Sequence, residues 1–159
     1  MSRAFVKETA EAAPPPERMV EAGPNLVTPE GFAAIEGHVA RLESELAKLA
    51  ARAGAPEDAL ASETLARDLR YWVHQRSTAE VVRAPAHASE EIMFGSRVAI
   101  ARKGREQRFR IVGVDEADPS RGLISIRSPL AAALIGARVG EVVEAAAPLG
   151  EITILKIEN

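Results

Sequence analysis

The chain of 159 residues contains no cysteine, which excludes disulfide staples and thiolate metal sites. Aromatic residues are nearly as scarce, with one Trp, one Tyr and four Phe. One large globular core is therefore not expected; a small core beside an alanine-rich helical element is. No apolar run approaches the roughly 20 residues needed to cross a membrane as a helix. The opening MSRAFVKETA also lacks the apolar centre of a secretion signal. These features predict a cytoplasmic protein with no membrane partner. Neither sign of charge dominates, with 20 basic and 23 acidic residues and a net charge of −3. Such a balance does not advertise a nucleic-acid binder. Residues 1–80 carry 9 basic and 13 acidic side chains and residues 81–159 carry 11 and 10, so an acidic half precedes a near-neutral one. His38, His74 and His87 have no ligand spacing, and no metal site is expected from them.

Four segments are present. Residues 1–25, with Ala12-Ala13-Pro14-Pro15-Pro16 and few large apolar side chains, read as a disordered arm. Residues 26–80 read as a helical hairpin. Thr28-Pro29-Glu30 supplies a cap, a first-turn proline and an acid at the positive end of the dipole. Phe32, Ile35, Val39, Leu42, Leu46 and Leu49 then follow at spacings of 3, 4, 3, 4 and 3, an a/d seam. Gly54-Ala55-Pro56 ends the first helix. A poorer seam of Leu65, Leu69, Trp72, Arg76 and Ala79 carries the second helix back antiparallel. Trp72 is read as packing, and Tyr71 falls off the seam, towards solvent. Residues 81–95 form a polar, proline-containing linker. Residues 96–159 predict strands near 96–101, 106–114, 123–127, 141–146 and 151–157 with a short helix from Pro129, an α+β arrangement.

The most informative stretch is FRIVGVDEADPSRGLISIRSPLAAALIG, Phe109 to Gly136. Phe109, Ile111, Val112 and Val114 form a strand. Asp115, Glu116, Asp118, Pro119 and Ser120 form an acidic turn. Leu123, Ile124 and Ile126 open another strand, and Ser128-Pro129 starts a helix that Gly136 is placed to end.

This order, with VGEVVE and the Pro148–Gly150 turn following it, resembles the C-terminal domain of the GreA/GreB family of bacterial transcription elongation factors. The resemblance runs from Ser96 to Glu158, and LVTPEGFAAIEGHVARLESEL is similar to the family's coiled-coil start. It implies an antiparallel coiled-coil hairpin followed by an FKBP-like antiparallel sheet domain with one short helix. It also implies a monomeric factor that docks at the secondary channel of RNA polymerase. By motif match the polymerase-binding candidates are Asp115, Glu116, Asp118, Ile124, Ser128, Pro129 and Ala131. Contact with nucleic acid is implied only inside the transcription complex.

In that family, acids at the hairpin tip hold a Mg²⁺ ion at the polymerase's own active centre, where two carboxylates must face one cation at about 2.0–2.1 Å. The usual pattern is an aspartate followed three residues later by glutamate-asparagine. Here the tip reads Gly54 to Glu63, with Ala61 three places after Asp58 and no asparagine. Glu57, Asp58 and Glu63 remain as tip acids with two open readings: helix-dipole partners, or substitutes near the polymerase metal. The resemblance further implies arms shorter by roughly two turns, about 11 Å of reach. The expectation is a non-enzymatic factor without a cofactor of its own that modulates elongation by occupying the channel. A cleavage-stimulating factor and a competitor of other channel-binding factors are the alternatives. Prolyl isomerisation, prompted only by the fold, would need an aromatic pocket for which Phe94 and Phe109 are the sole sources. Arg102, Lys103, Arg105, Arg108 and Arg110 read either as a solvated turn or as a basic face.

Overall fold

The computed structural model describes residues 13–52, 56–84 and 89–158. His87, Gly54 and Ala55 of the expected hairpin tip, and the first twelve residues of the expected arm lie outside them.

Strand β1 (Asn25–Val27) leads into α1 (Pro29–Arg52), and α2 (Pro56–Thr78) returns to β2 (Ala79–Val81). β1 and β2 pair in parallel, Asn25 with Ala79 and Val27 with Val81, which closes the base of the hairpin. Helices of 24 and 23 residues correspond to arms of roughly 35 Å. The α1 seam packs as its spacing predicts: Ile35, Val39 and Leu42 are almost fully buried. Phe32, Leu46 and Leu49 are half-buried.

The α2 seam departs from expectation. Arg76 is exposed, whereas Tyr71 and Gln75 are buried. The last turns of α2 face the globular domain as well as α1, so a second stripe beside the heptad seam is covered. Tyr71 is therefore an internal residue and not a solvent-facing one. Trp72 packs as expected, half-buried and stacked on His38 with ring centroids 4.1 Å apart.

The C-terminal unit contains β3 (Arg97–Arg102), β4 (Arg105–Val112), β5 (Leu123–Ser125), α3 (Pro129–Leu134), β6 (Val142–Ala145) and β7 (Gly150–Glu158). The five strands run in the order β5-β4-β3-β7-β6. Every pairing is antiparallel except β4 with β5, which is parallel. Two single-turn 3-10 segments, Val114–Glu116 and Pro119–Arg121, make that possible by carrying the chain back to the start of β4's last pairing residues. One sheet face packs Val98, Ile100, Ile152 and Ile154 with Ala131 and Leu134 of α3. These branched side chains suit a pleated, one-sided core. The molecule is thus α+β, a helical hairpin joined to a mixed but mainly antiparallel sheet.

A candidate docking edge and its brace to the hairpin

β5 is one of the two edge strands of the sheet, and a candidate residue is fastened at each of its ends. Asp118 exchanges two backbone hydrogen bonds with Leu123, at 2.9 and 3.0 Å. Its Oδ1 accepts from Ser120 Oγ at 2.6 Å and from Ser120 N at 3.1 Å. Those Ser120 bonds, with Arg121 nearby, hold the Asp118 carboxyl below its ordinary range. At the other end, Ser128 N donates to Ser125 O at 2.9 Å, while Ser128 Oγ accepts from Ala131 N at 3.1 Å and caps α3. Pro129 occupies the first turn and is exposed. Asp118 and Ser128 are half-buried. Ile124 is 8% and Ala131 0% exposed, so both support this edge from beneath with little or no side-chain surface of their own.

Asp115 and Glu116 turn inward. Asp115 accepts from the Tyr71 hydroxyl at 2.7 Å and from Gln75 Nε2. Burial, followed by the bond to Asp115, pushes the Tyr71 phenol up to about 12. Glu116 accepts from the backbone N–H of Thr28 and of Gly113, each at 3.0 Å, and from the Thr28 hydroxyl. Thr28 Oγ1 in turn accepts from Gly31 N at 3.0 Å, which makes Thr28 the cap of α1. In a local capping box the acid that answers the cap residue's N–H stands three residues on. Here that position is Gly31, and the acid comes from the globular domain. The missing side chain leaves the necessary room, because a Cβ on Gly31 would lie 2.1 Å from Glu116 Cδ.

The acidic turn therefore couples the candidate docking edge to the hairpin. Sequence reading places Asp115, Glu116 and Asp118 in one exposed group, whereas the structure divides them into two internal braces and one surface acid. The clue was present as Thr28 and Gly31 around a proline: a capping box with its acid missing. Tyr71 and Gln75, one helical turn apart, were the corresponding signal on α2.

The tip acids do not converge. Glu57 and Glu63 are exposed, while Asp58 is half-buried and its Oδ1 lies 3.6 Å from Arg52 Nη2. Neighbouring positions on a helix point roughly 100° apart, so Glu57 and Asp58 do not form a chelating pair by themselves. Among the described residues, no group of three or more His, Asp and Glu side chains is arranged to hold a metal. The five basic residues around the β3–β4 turn also fail to make one patch. Alternation places Arg108 and Arg110 on one face of β4 and Arg105 on the other. Arg108 pairs with Glu106 at 3.0 Å and Arg110 with Glu30 at 3.3 Å. Arg110 borders a cleft of about 790 Å³ between the start of α1 and the sheet, whose single aromatic lining residue is Phe109. Phe94 packs on the core.

Residues 87–159 match the family described as transcription elongation factor GreA/GreB, C-terminal domain. The transcription elongation factor GreA of Ruegeria pomeroyi is 36% identical over 150 residues, covering 83% of this chain and 96% of the relative. GreA of Lactococcus lactis subsp. cremoris (strain MG1363) is 41% identical over 78 residues, covering 48% of this chain and 50% of the relative. The chain thus spans about half the length of that relative. Among solved structures, the GreA factor homolog 1 protein of Thermus thermophilus aligns over 86% of this chain and 100% of its own, at 20% identity and a TM-score of 0.40.

Proposed function

Since the chain belongs to the GreA/GreB family of transcription elongation factors, we propose that it binds RNA polymerase at the secondary channel and modulates elongation through the inserted hairpin. Asp118, Ser128 and Pro129 form the docking edge in this reading. A surface acid held rigidly in a turn, as Asp118 is, suits a basic helical partner. Ile124 and Ala131 shape the edge from below, and Asp115 and Glu116 transmit its orientation.

One observation carries the proposal. The turn that lies beside the edge also supplies the acid that caps α1, through Glu116 to Thr28. Docking by this edge therefore sets where the hairpin goes. The tip acids Glu57, Asp58 and Glu63 carry no chelating geometry among the described residues. The tip also lacks the family's usual aspartate followed three residues later by glutamate-asparagine, and in this reading the hairpin acts by occupying the channel. Antagonism of other channel-binding factors follows from the same occupancy.

The test is a stalled, backtracked polymerase complex incubated with the protein and Mg²⁺, with RNA resolved on a gel and binding measured in parallel. Expected are binding, a changed rate of elongation and RNA of unaltered length. Asp118→Arg should weaken binding by at least tenfold, as reversal of an interfacial charge does. RNA shortened by the protein but not by Glu57→Ala/Asp58→Ala would replace the proposal with stimulated cleavage. Absence of binding would remove it.

A further inference from the structure

The polypeptide before β1 touches both parts of the molecule. On the hairpin, Arg18 lies over the Tyr71 ring with its guanidinium carbon 3.7 Å from the centroid, and 5.3 Å from that of Trp72. Glu17 pairs with Arg70 one residue away on α2. On the globular domain, Glu21 Oε2 lies 3.1 Å from Arg127 Nη1, and Pro24 O accepts from Arg127 Nη2 at 3.5 Å. Residues 13–24 have no regular secondary structure, yet these contacts place them along α2 and across to the strand-to-helix corner.

We propose that Glu17 to Pro24 form a strap, with Arg18 as its positioning residue, that fixes the direction in which the hairpin leaves the globular domain. The Asp115 and Glu116 braces come from adjacent residues just past β4, and the Arg110–Glu30 ion pair joins the same end of α1 to β4, so these ties act at nearly one place. Two bodies pinned at one place retain a pivot. β5 runs parallel to β4 and its last residue, Ser125, pairs with Val112, so Arg127 lies at the same end of the sheet as the braces, and a contact there adds a further point of attachment beside the Asp115–Glu116 pair. Arg18 joins that attachment to the braces. It covers the face of the same Tyr71 whose hydroxyl reaches Asp115, and cation–π attraction favours that seat. The interaction is orientational, because the guanidinium must stay over the ring while Glu21 stays on Arg127. Strap and braces therefore hold together for one hairpin direction.

The cysteine-free chain makes the test direct. Spin labels on Ala59→Cys, near the hairpin tip, and Ala146→Cys, in the turn between β6 and β7, report the distance between the two bodies in the full chain. Both positions are exposed. A single narrow distance distribution is expected, and Arg18→Ala/Glu21→Ala should at least double its width with helix content unchanged by circular dichroism. Restoring Arg18 and exchanging the pair, Glu21→Arg with Arg127→Glu, should narrow it again. Trp72, the sole tryptophan, should change its emission when Arg18 is replaced. An unchanged width in Arg18→Ala/Glu21→Ala overturns the strap, as does unchanged Trp72 emission. Failure of the exchanged pair to narrow the distribution also overturns it. No polymerase enters the measurement, so its outcome is independent of the function proposed above.

Discussion

Glu116 Oε2 accepts the backbone N–H of Thr28 at 3.0 Å across 88 residues of sequence. A cap that would ordinarily be local is thus a tertiary contact. Thr28 is almost fully buried, so loss of the carboxylate leaves buried donors unpaired.

Gly31 and Glu116 should be coupled with a change of sign. Gly31→Ala in the native chain forces the new methyl group against the Glu116 carboxyl and should destabilise by about 2–3 kcal/mol. In a Glu116→Ala background the collision is gone. The better helix propensity of alanine should then make Gly31→Ala neutral or stabilising by up to about 1 kcal/mol. Gly113→Ala should stay destabilising in both backgrounds, because its Cβ would also lie 2.5 Å from the backbone oxygen of Leu26. Urea midpoints of the five variants decide this, and purely additive values for Gly31 and Glu116 would refute the shared cap.

Tyr71 is the only tyrosine, so its ionisation can be followed by ultraviolet absorbance without interference from another phenol. Its folded-state pKa stands at about 12 against an ordinary 10.0. The folded form therefore holds the proton more tightly than the unfolded one. The resulting stability is fully present below pH 10 and is lost as pH rises to about 12. Tyr71→Phe should abolish that alkaline slope and cost about 1–2 kcal/mol at neutral pH, through the bond lost from Asp115. A phenol titrating near pH 10 in the folded protein would contradict the brace.

Ser128 caps α3 through its side-chain oxygen. Ser128→Ala should lower stability by about 1 kcal/mol, while Ser128→Asp, which preserves a cap acceptor, should cost only a few tenths. Thermal unfolding compares the two. If both weaken polymerase binding by the same factor, the hydroxyl itself belongs to the interface; if only the alanine variant does, the cap is what matters.

The tip acids should be thermodynamically minor. Glu57→Ala and Asp58→Ala remove carboxylates from the first turn of α2 and should each cost no more than about 0.3–1 kcal/mol. The loss should shrink in high salt, because both sites are accessible to screening. A penalty that survives 1 M salt would assign them a packing role instead.

Features set by local periodicity were legible in the sequence. The spacing from Phe32 to Leu49 located the buried Ile35, Val39 and Leu42, and Ser128-Pro129 located the start of α3. The five strands of the sheet fall close to the alternating and apolar runs. Contacts made by polar side chains across long separations left only indirect traces, such as the cap at Thr28 with Gly31 where its acid would stand, and their partners were not legible. Nothing in the heptad register marks Tyr71 as buried, because its partner Asp115 is 44 residues away. An exposed acidic turn and an acidic turn spent on internal donors have the same composition. The parallel pairing of β5 with β4 was similarly hidden, since turn-forming residues suit a hairpin and a short crossover alike.

The parallel β1–β2 pair has a consequence for how hairpin length can vary. It joins the two roots of the hairpin by their own backbone, so the arms form a loop whose ends are already closed. Seven residues inserted into each arm would keep the heptad register and extend the tip by about 10 Å. The base contacts at Thr28, Tyr71 and Gln75 would remain in place. Reach is thus an adjustable dimension of this architecture, separable from the β5 edge of the sheet.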